Sequence, residues 1–177
     1  MSLRQKRITE DFANLKKMGQ KGQIKQLKPF PTQNGKKSIE HLAILLEGPK
    51  KSPYEKGLFK LEVRYGSDYP YSPPFVRLHT AIWHPNFWPN PKEYPGKRNI
   101  CLGLVDPELK GTKAGWSPSK NISSVINAIL AMFNVDPMYT NPNDVFNKKA
   151  AMELLANEKA FRNKAKELTK KYANQKW

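Results

Sequence analysis

Residues 48–74 read GPKKSPYEKGLFKLEVRYGSDYPYSPP. Between two turn-rich borders lies a strictly alternating run: Phe59, Leu61, Val63 and Tyr65 are interleaved with Lys60, Glu62 and Arg64. Successive side chains of a strand point to opposite faces, so this pattern describes a strand with one face on a core and the other toward water. Upstream, apolar stretches near residues 24–30 and 39–46 flank QNGKK. Its Asn34-Gly35 pair suits a tight hairpin turn, whose central residues need positive φ. Downstream, residues 75–79 form a further short strand. Four strands joined by turns make an antiparallel meander.

Helices bracket the strands. Ser2 and Gln5 have the spacing of a capping box, Ile8, Phe12 and Leu15 share one helical face, and Gly19 and Gly22 end the element. From Ala81 to Pro118 no period is sustained. Pro85, Pro89, Pro91, Pro95, Pro107 and Pro118, with Gly96, Gly103, Gly111 and Gly115, preclude long regular elements there. The embedded Trp83, Phe87, Trp88, Ile100, Leu102 and Leu104 predict a packed loop, and a long ordered loop in a compact domain is usually functional. Asn121 then caps a helix carrying Ile122, Val125, Ile126, Ile129, Leu130 and Phe133, which stops before Asp136-Pro137. A further helix opens near Asp144 and runs to about Ala156. The last has Phe161, Ala165, Leu168 and Tyr172 as its stripe. The expectation is one α+β domain over residues 1–177: an N-terminal helix, a four-stranded antiparallel meander, an ordered active-site loop and three C-terminal helices.

At 177 residues and 20.3 kDa the chain is long enough to bury a core without crosslinks. Its single cysteine, Cys101, forms no internal disulfide, and no cysteine–histidine group has zinc-site spacing, so neither metal nor cofactor is expected. MSLRQKRITEDF lacks the apolar heart of a signal peptide, and no run reaches the roughly 18 apolar residues of a membrane span. A soluble cytoplasmic location is expected, or a nuclear one in a eukaryote, with no membrane partner. The net charge of +16 sits at the ends: residues 1–37 hold ten Lys/Arg against two Asp/Glu, residues 147–177 nine against three, and the 109 between them twelve against ten. Such ends attract a polyanion or an acidic protein face, or else are solvated helix surfaces. Nucleic acid is disfavoured as a partner, since most aromatics fall on core stripes or in the loop and no nucleic-acid signature is present.

GPKKSPYEKGLFKLEVRYGSDYPYSPP, then HPN (84–86), ICL (100–102), WSP (116–118) and the closing EKAFRNKAKELTKKYA, in that order over nearly the whole chain, resemble a ubiquitin-conjugating enzyme. The resemblance implies an acyltransferase, and it implies the same fold and element order. Cys101 matches the residue that accepts ubiquitin, or a ubiquitin-like modifier, as a thioester from an activating enzyme. It passes the modifier to a substrate lysine, usually with a ligase, expected to be RING-type. Asn86 matches an asparagine that either stabilises the oxyanion of aminolysis or braces the loop, and His84 and Pro85 match structural positions. Asp144 in NPNDVF matches an acidic gate that positions the incoming lysine; capping of the following helix is the other reading. Arg4, Lys6 and Arg7 match the activating-enzyme dock, and Tyr71, Ser117 and Pro118 the ligase-contacting loops.

Nearby Lys97 and Arg98 are expected to lower the thiol pKa from roughly 8.5. Two stretches, FWPNPKEYPGKRN and VDPELKGTKAG, are longer than in the family's minimal members, and Gly103 stands where many members carry an acidic or polar residue. A papain-like protease also uses Cys, His and Asn, but in the opposite order: here His41, His79 and His84 all precede Cys101.

Overall fold

The computed structural model describes every residue except Thr32, Gln33, Asn34 and Lys36, with the backbone alone for Tyr139. Helix α1 spans Leu3–Gln20, and the strands follow as β1 (Ile24–Pro29), β2 (His41–Glu47), β3 (Leu58–Arg64) and β4 (Phe75–Leu78). Helices α2 (Ile122–Met132), α3 (Lys148–Ala156) and α4 (Glu158–Tyr172) complete the order. The sheet is a meander in chain order, every pair antiparallel.

Local chemistry accounts for most boundaries. In α1 the Ser2 hydroxyl accepts from Gln5 N and the Gln5 side chain accepts from Ser2 N, a reciprocal cap typically worth about 1 kcal/mol. Gly19 lies inside this helix, and the chain turns out at Gly22 with φ +81°. The expected Asn34-Gly35 turn lies outside the described residues at Asn34. The alternation in β3 lands in register: Phe59 pairs with Leu46, Leu61 with Ile44 and Val63 with Leu42, all buried. Strand β2 is buried along nearly its whole length because both of its faces are covered. On the inner face these residues share one apolar core with Ile8 and Leu15 of α1, Ile126 and Ile129 of α2, and Phe161 and Ala165 of α4. The last helix differs from its predicted stripe: Thr169 is buried, whereas Tyr172 is exposed near its end.

The outer sheet face departs most from the alternation. Glu62, predicted to meet water, is only 8% exposed. Its two carboxylate oxygens accept from His41 Nε2 at 2.7 Å and His79 Nε2 at 2.8 Å. Phe30 stacks on His41, and Trp177 packs against both Phe30 and His79 while its Nε1 donates to Ile44 O. Burial acts to raise the Glu62 pKa, but the hydrogen bonds and charge of His79 and His41 outweigh it, and the net shift is downward. A carboxylate with a lowered native pKa adds stability above its unfolded value of 4.5, and that stability is lost as pH falls through the lower native value. Glu62→Gln is therefore expected to lose about 2 kcal/mol near neutral pH, the worth of hydrogen bonds to a charged group. The deficit should shrink in acid, and urea unfolding of both proteins from about pH 3 to about pH 8 measures it.

Candidate active site

The loop between β4 and α2 is ordered by pairing with itself. Phe87 and Ile100 face each other in an antiparallel bridge, both buried. On one side Cys101 N donates to Asn86 O at 2.7 Å; on the other Trp88 N donates to Asn99 O at 3.1 Å. Because residues alternate in direction, inward Phe87 and Ile100 leave the half-exposed Asn86 and Cys101 on the opposite side. The Asn99 side chain is buried and bonds both Leu78 N and Leu78 O, so the hairpin is hooked to the end of β4.

His84 is the peg that attaches this hairpin to the helices. Its Nε2 donates to Met132 O at the end of α2 at 2.7 Å, and its Nδ1 accepts from Asn86 N at 3.0 Å. Burial pushes its pKa down to about 4, so the ring is neutral near pH 7. Pro85 O accepts from Asn147 N at 2.8 Å, which ties the start of α3 to the same tripeptide.

The thiol is half-exposed, with Sγ 3.9 Å from Asp144 O. Its pKa is raised, first by burial and then by the negative charges of Asp144 and Asp106. This overturns the expectation built on Lys97 and Arg98. Lys97 is exposed, and the Arg98 guanidinium is turned away, bonding Pro74 O and Val105 O beside the Phe75 ring. Sequence proximity places charges near one another only when the backbone directs the side chains the same way. Asp144 itself is exposed in a run of turns and bends. It does not open a helix: α3 begins at Lys148, capped by the Asn147 side chain through Ala150 N.

The expected partner surfaces separate into bound and free side chains. Arg4 is held by a bidentate pair with Glu40 and by Gly66 O, and Arg7 donates to Pro118 O and Lys120 O. Lys6 is exposed. Tyr71, 53% exposed, follows the Pro70 whose carbonyl accepts from buried Trp116 Nε1 at 2.7 Å, so its loop is tied to the one carrying Ser117 and Pro118. Gly103 has a packing reason: a Cβ there would lie 2.6 Å from Ala114 O, because the residue 105–115 segment folds back over it.

Among the described residues, no group of three or more His, Cys, Asp or Glu side chains could hold a metal, and no helix is long and apolar enough to cross a membrane. All three histidines are engaged elsewhere, His41 and His79 on Glu62 and His84 on Met132 O, so none is set as a base for the sulfur. That separates the site from a Cys-His hydrolase. The site is thus a lone, half-exposed thiol on an ordered loop, with no imidazole paired to it among the described residues.

Known proteins agree. A family model described as ubiquitin-conjugating enzyme matches residues 7–169. Ubiquitin-conjugating enzyme E2 13 of Saccharomyces cerevisiae is 36% identical over 78% of this chain and 79% of its own length. The human ubiquitin-conjugating enzyme E2 T is 36% identical over 80% of this chain but only 64% of its own length. Among solved structures, the E2 domain of a Toxoplasma gondii ubiquitin conjugating enzyme superposes with a TM-score of 0.70 at 26% identity, covering 96% of this chain and 99% of that one. The chain belongs to the ubiquitin-conjugating enzyme family. It is a transferase that works through a thioester intermediate.

Two outcomes are expected from the site's electrostatics. As pH falls from 6.5 toward about 4, unfolded chain takes up a proton that native His84 refuses, so this residue lowers stability on acidification by at most about 1.4 kcal/mol per pH unit. Nitrogen-detected NMR should show His84 as the neutral Nε2–H tautomer down to roughly pH 5, with protonation beginning only as pH approaches about 4. Asp144→Asn removes a charge that opposes the thiolate, so Cys101 should alkylate faster with iodoacetamide at equal pH.

Proposed function

We propose that Cys101 is the thioester-forming nucleophile, that Asp144 positions the acceptor lysine, and that Asn86 and His84-Pro85 hold the loop in which both act. The observation that carries this reading is the chain's one thiol, half-exposed on a self-paired loop with the Asp144 segment at van der Waals distance. The sulfur attacks the carbonyl carbon of an activated modifier, forming a C–S bond and expelling the upstream thiolate. A lysine amine then attacks the same carbonyl carbon, the tetrahedral oxyanion collapses, and the Cys101 thiolate leaves.

The charges suit the second step. A lysine amine of pKa near 10.4 is neutral in only about one molecule in 2,500 at pH 7. Once acylated, the sulfur carries no charge, so the acids that oppose its thiolate no longer act against it. The same acids then attract and orient an incoming ammonium. Asp144 supports this role better than capping, which Asn147 performs. Asn86 remains open to both of its roles: its backbone braces Cys101, and its half-exposed amide lies on the sulfur's side of the pairing.

The partners that follow are a ubiquitin-like modifier, an activating enzyme and a ligase of the RING type, in the cytoplasm or nucleus. Lys6 is an exposed cation of the α1 dock, while Arg4 and Arg7 hold that helix on the body. Tyr71 and Pro118 form the ligase contact. Incubation with activating enzyme, ATP and ubiquitin should yield an adduct of one modifier mass that reductant removes. Cys101→Ser should give a reductant-resistant ester or nothing, and a persistent thioester there would sink the assignment. Asp144→Ala should slow discharge to free lysine more than it slows loading. Equal losses on both steps would remove Asp144 from the acceptor role.

A further inference from the structure

We propose that Trp88 and Phe146 are positioning residues, an aromatic clamp through which the residue 87–99 insertion sets the Asp144 segment against Cys101. The proposal rests on the reading of Cys101 and Asp144 just given.

Three rings stack in series. Tyr94 lies on Trp88 with centroids 4.5 Å apart and planes 30° apart, and Trp88 lies on Phe146 at 5.4 Å and 23°. Two of these rings come from the insertion. It is folded back by the short turn Pro91–Glu93 and held to β4 by Arg77, which donates to Pro91 O. The third ring belongs to the segment that carries Asp144, two residues away. That segment is made of turns and bends without a backbone ladder of its own. Its position over the sulfur therefore depends on what grips it from outside.

Besides the sulfur contact itself, two grips are seen among the described residues. Asn147 N bonds Pro85 O at 2.8 Å, and Phe146 rests on Trp88. Both lead to the same hairpin. Trp88 is paired through its N–H with Asn99 O, two residues before Cys101, so the ring and the sulfur are mounted on one rigid unit. The clamp thus converts a flexible approach of Asp144 into a defined one, and a displacement of about 1 Å at a reacting centre commonly costs up to about a hundredfold in rate. The chemical step it serves is amine attack. Acquisition of the modifier from the activating enzyme needs the sulfur and the α1 dock but not Asp144.

The test uses the full chain, loaded with ubiquitin by activating enzyme and ATP, then followed after ATP removal as the thioester discharges to free lysine. Trp88→Ala and Phe146→Ala should slow discharge about tenfold while the loading rate stays within about twofold of wild type. Trp88→Phe, which keeps a stacking face, should retain most of the rate. The double variant Trp88→Ala with Asp144→Ala should be no slower than Asp144→Ala alone, because the clamp acts through Asp144. Wild-type discharge by Trp88→Ala beside a slow Asp144→Ala overturns the clamp and leaves the Asp144 reading intact. Multiplying losses in the double variant also overturn it. An unimpaired Asp144→Ala would instead bring down the underlying reading. Should Trp88→Ala not fold, Phe146→Leu keeps apolar bulk without the aromatic face and makes the same comparison, with normal loading as the sign of a native fold.

Discussion

A pairing only three residues long, Asn86 to Trp88 against Asn99 to Cys101, is the constraint on which the rest of the site depends. It turns a proline-rich loop into a hairpin with an inside and an outside. Phe87 and Ile100 go into the core, and Cys101 is thereby kept at the surface beside Asn86. Buried side chains anchor the pairing at both ends. Asn99 saturates the backbone of Leu78, and neutral His84 joins the loop backbone to the last turn of α2. Loss of either anchor leaves buried polar groups unpaired, which is why residues with no part in the chemistry hold it in place.

The electrostatic design runs opposite to the usual account of a reactive cysteine. Among the described residues, burial and the carboxylates of Asp144 and Asp106 resist the thiolate. A carrier does not need a thiol that reacts with every electrophile. On the proposed reading of Cys101 and Asp144, it needs one that is acylated in a docked complex and is then surrounded by charges favourable to a cationic acceptor. Along the chain the large positive charge is concentrated at the two ends. The same economy of local pairing appears on the outer sheet face, where two histidines converge on one buried carboxylate.

Much of the fold was legible because period and capping are local. The alternation of Phe59, Leu61 and Val63, the Ser2–Gln5 box and the Asn121 cap each state an element and its boundary within a few residues. The start of α3 was misread at Asp144 because an Asp and an Asn three residues apart are equally good caps in sequence, and only the packing at Pro85 chose Asn147. Glu62 was misread because period assigns it a face but says nothing of Phe30, Trp177 and the two histidines that cover that face.

By itself the sequence determined the element order, the sheet's inner face and the single thiol, since each is written in spacing or in residue count, while its motifs carried the resemblance to the family. The tertiary structure alone decided the direction of Arg98, the bound state of Arg4 and Arg7, the upward shift of the thiol and the stacking of Trp88 on Phe146. These depend on side chains from distant segments meeting in space. Electrostatic and stacking energies follow distance and orientation through space, which separation along the chain does not report.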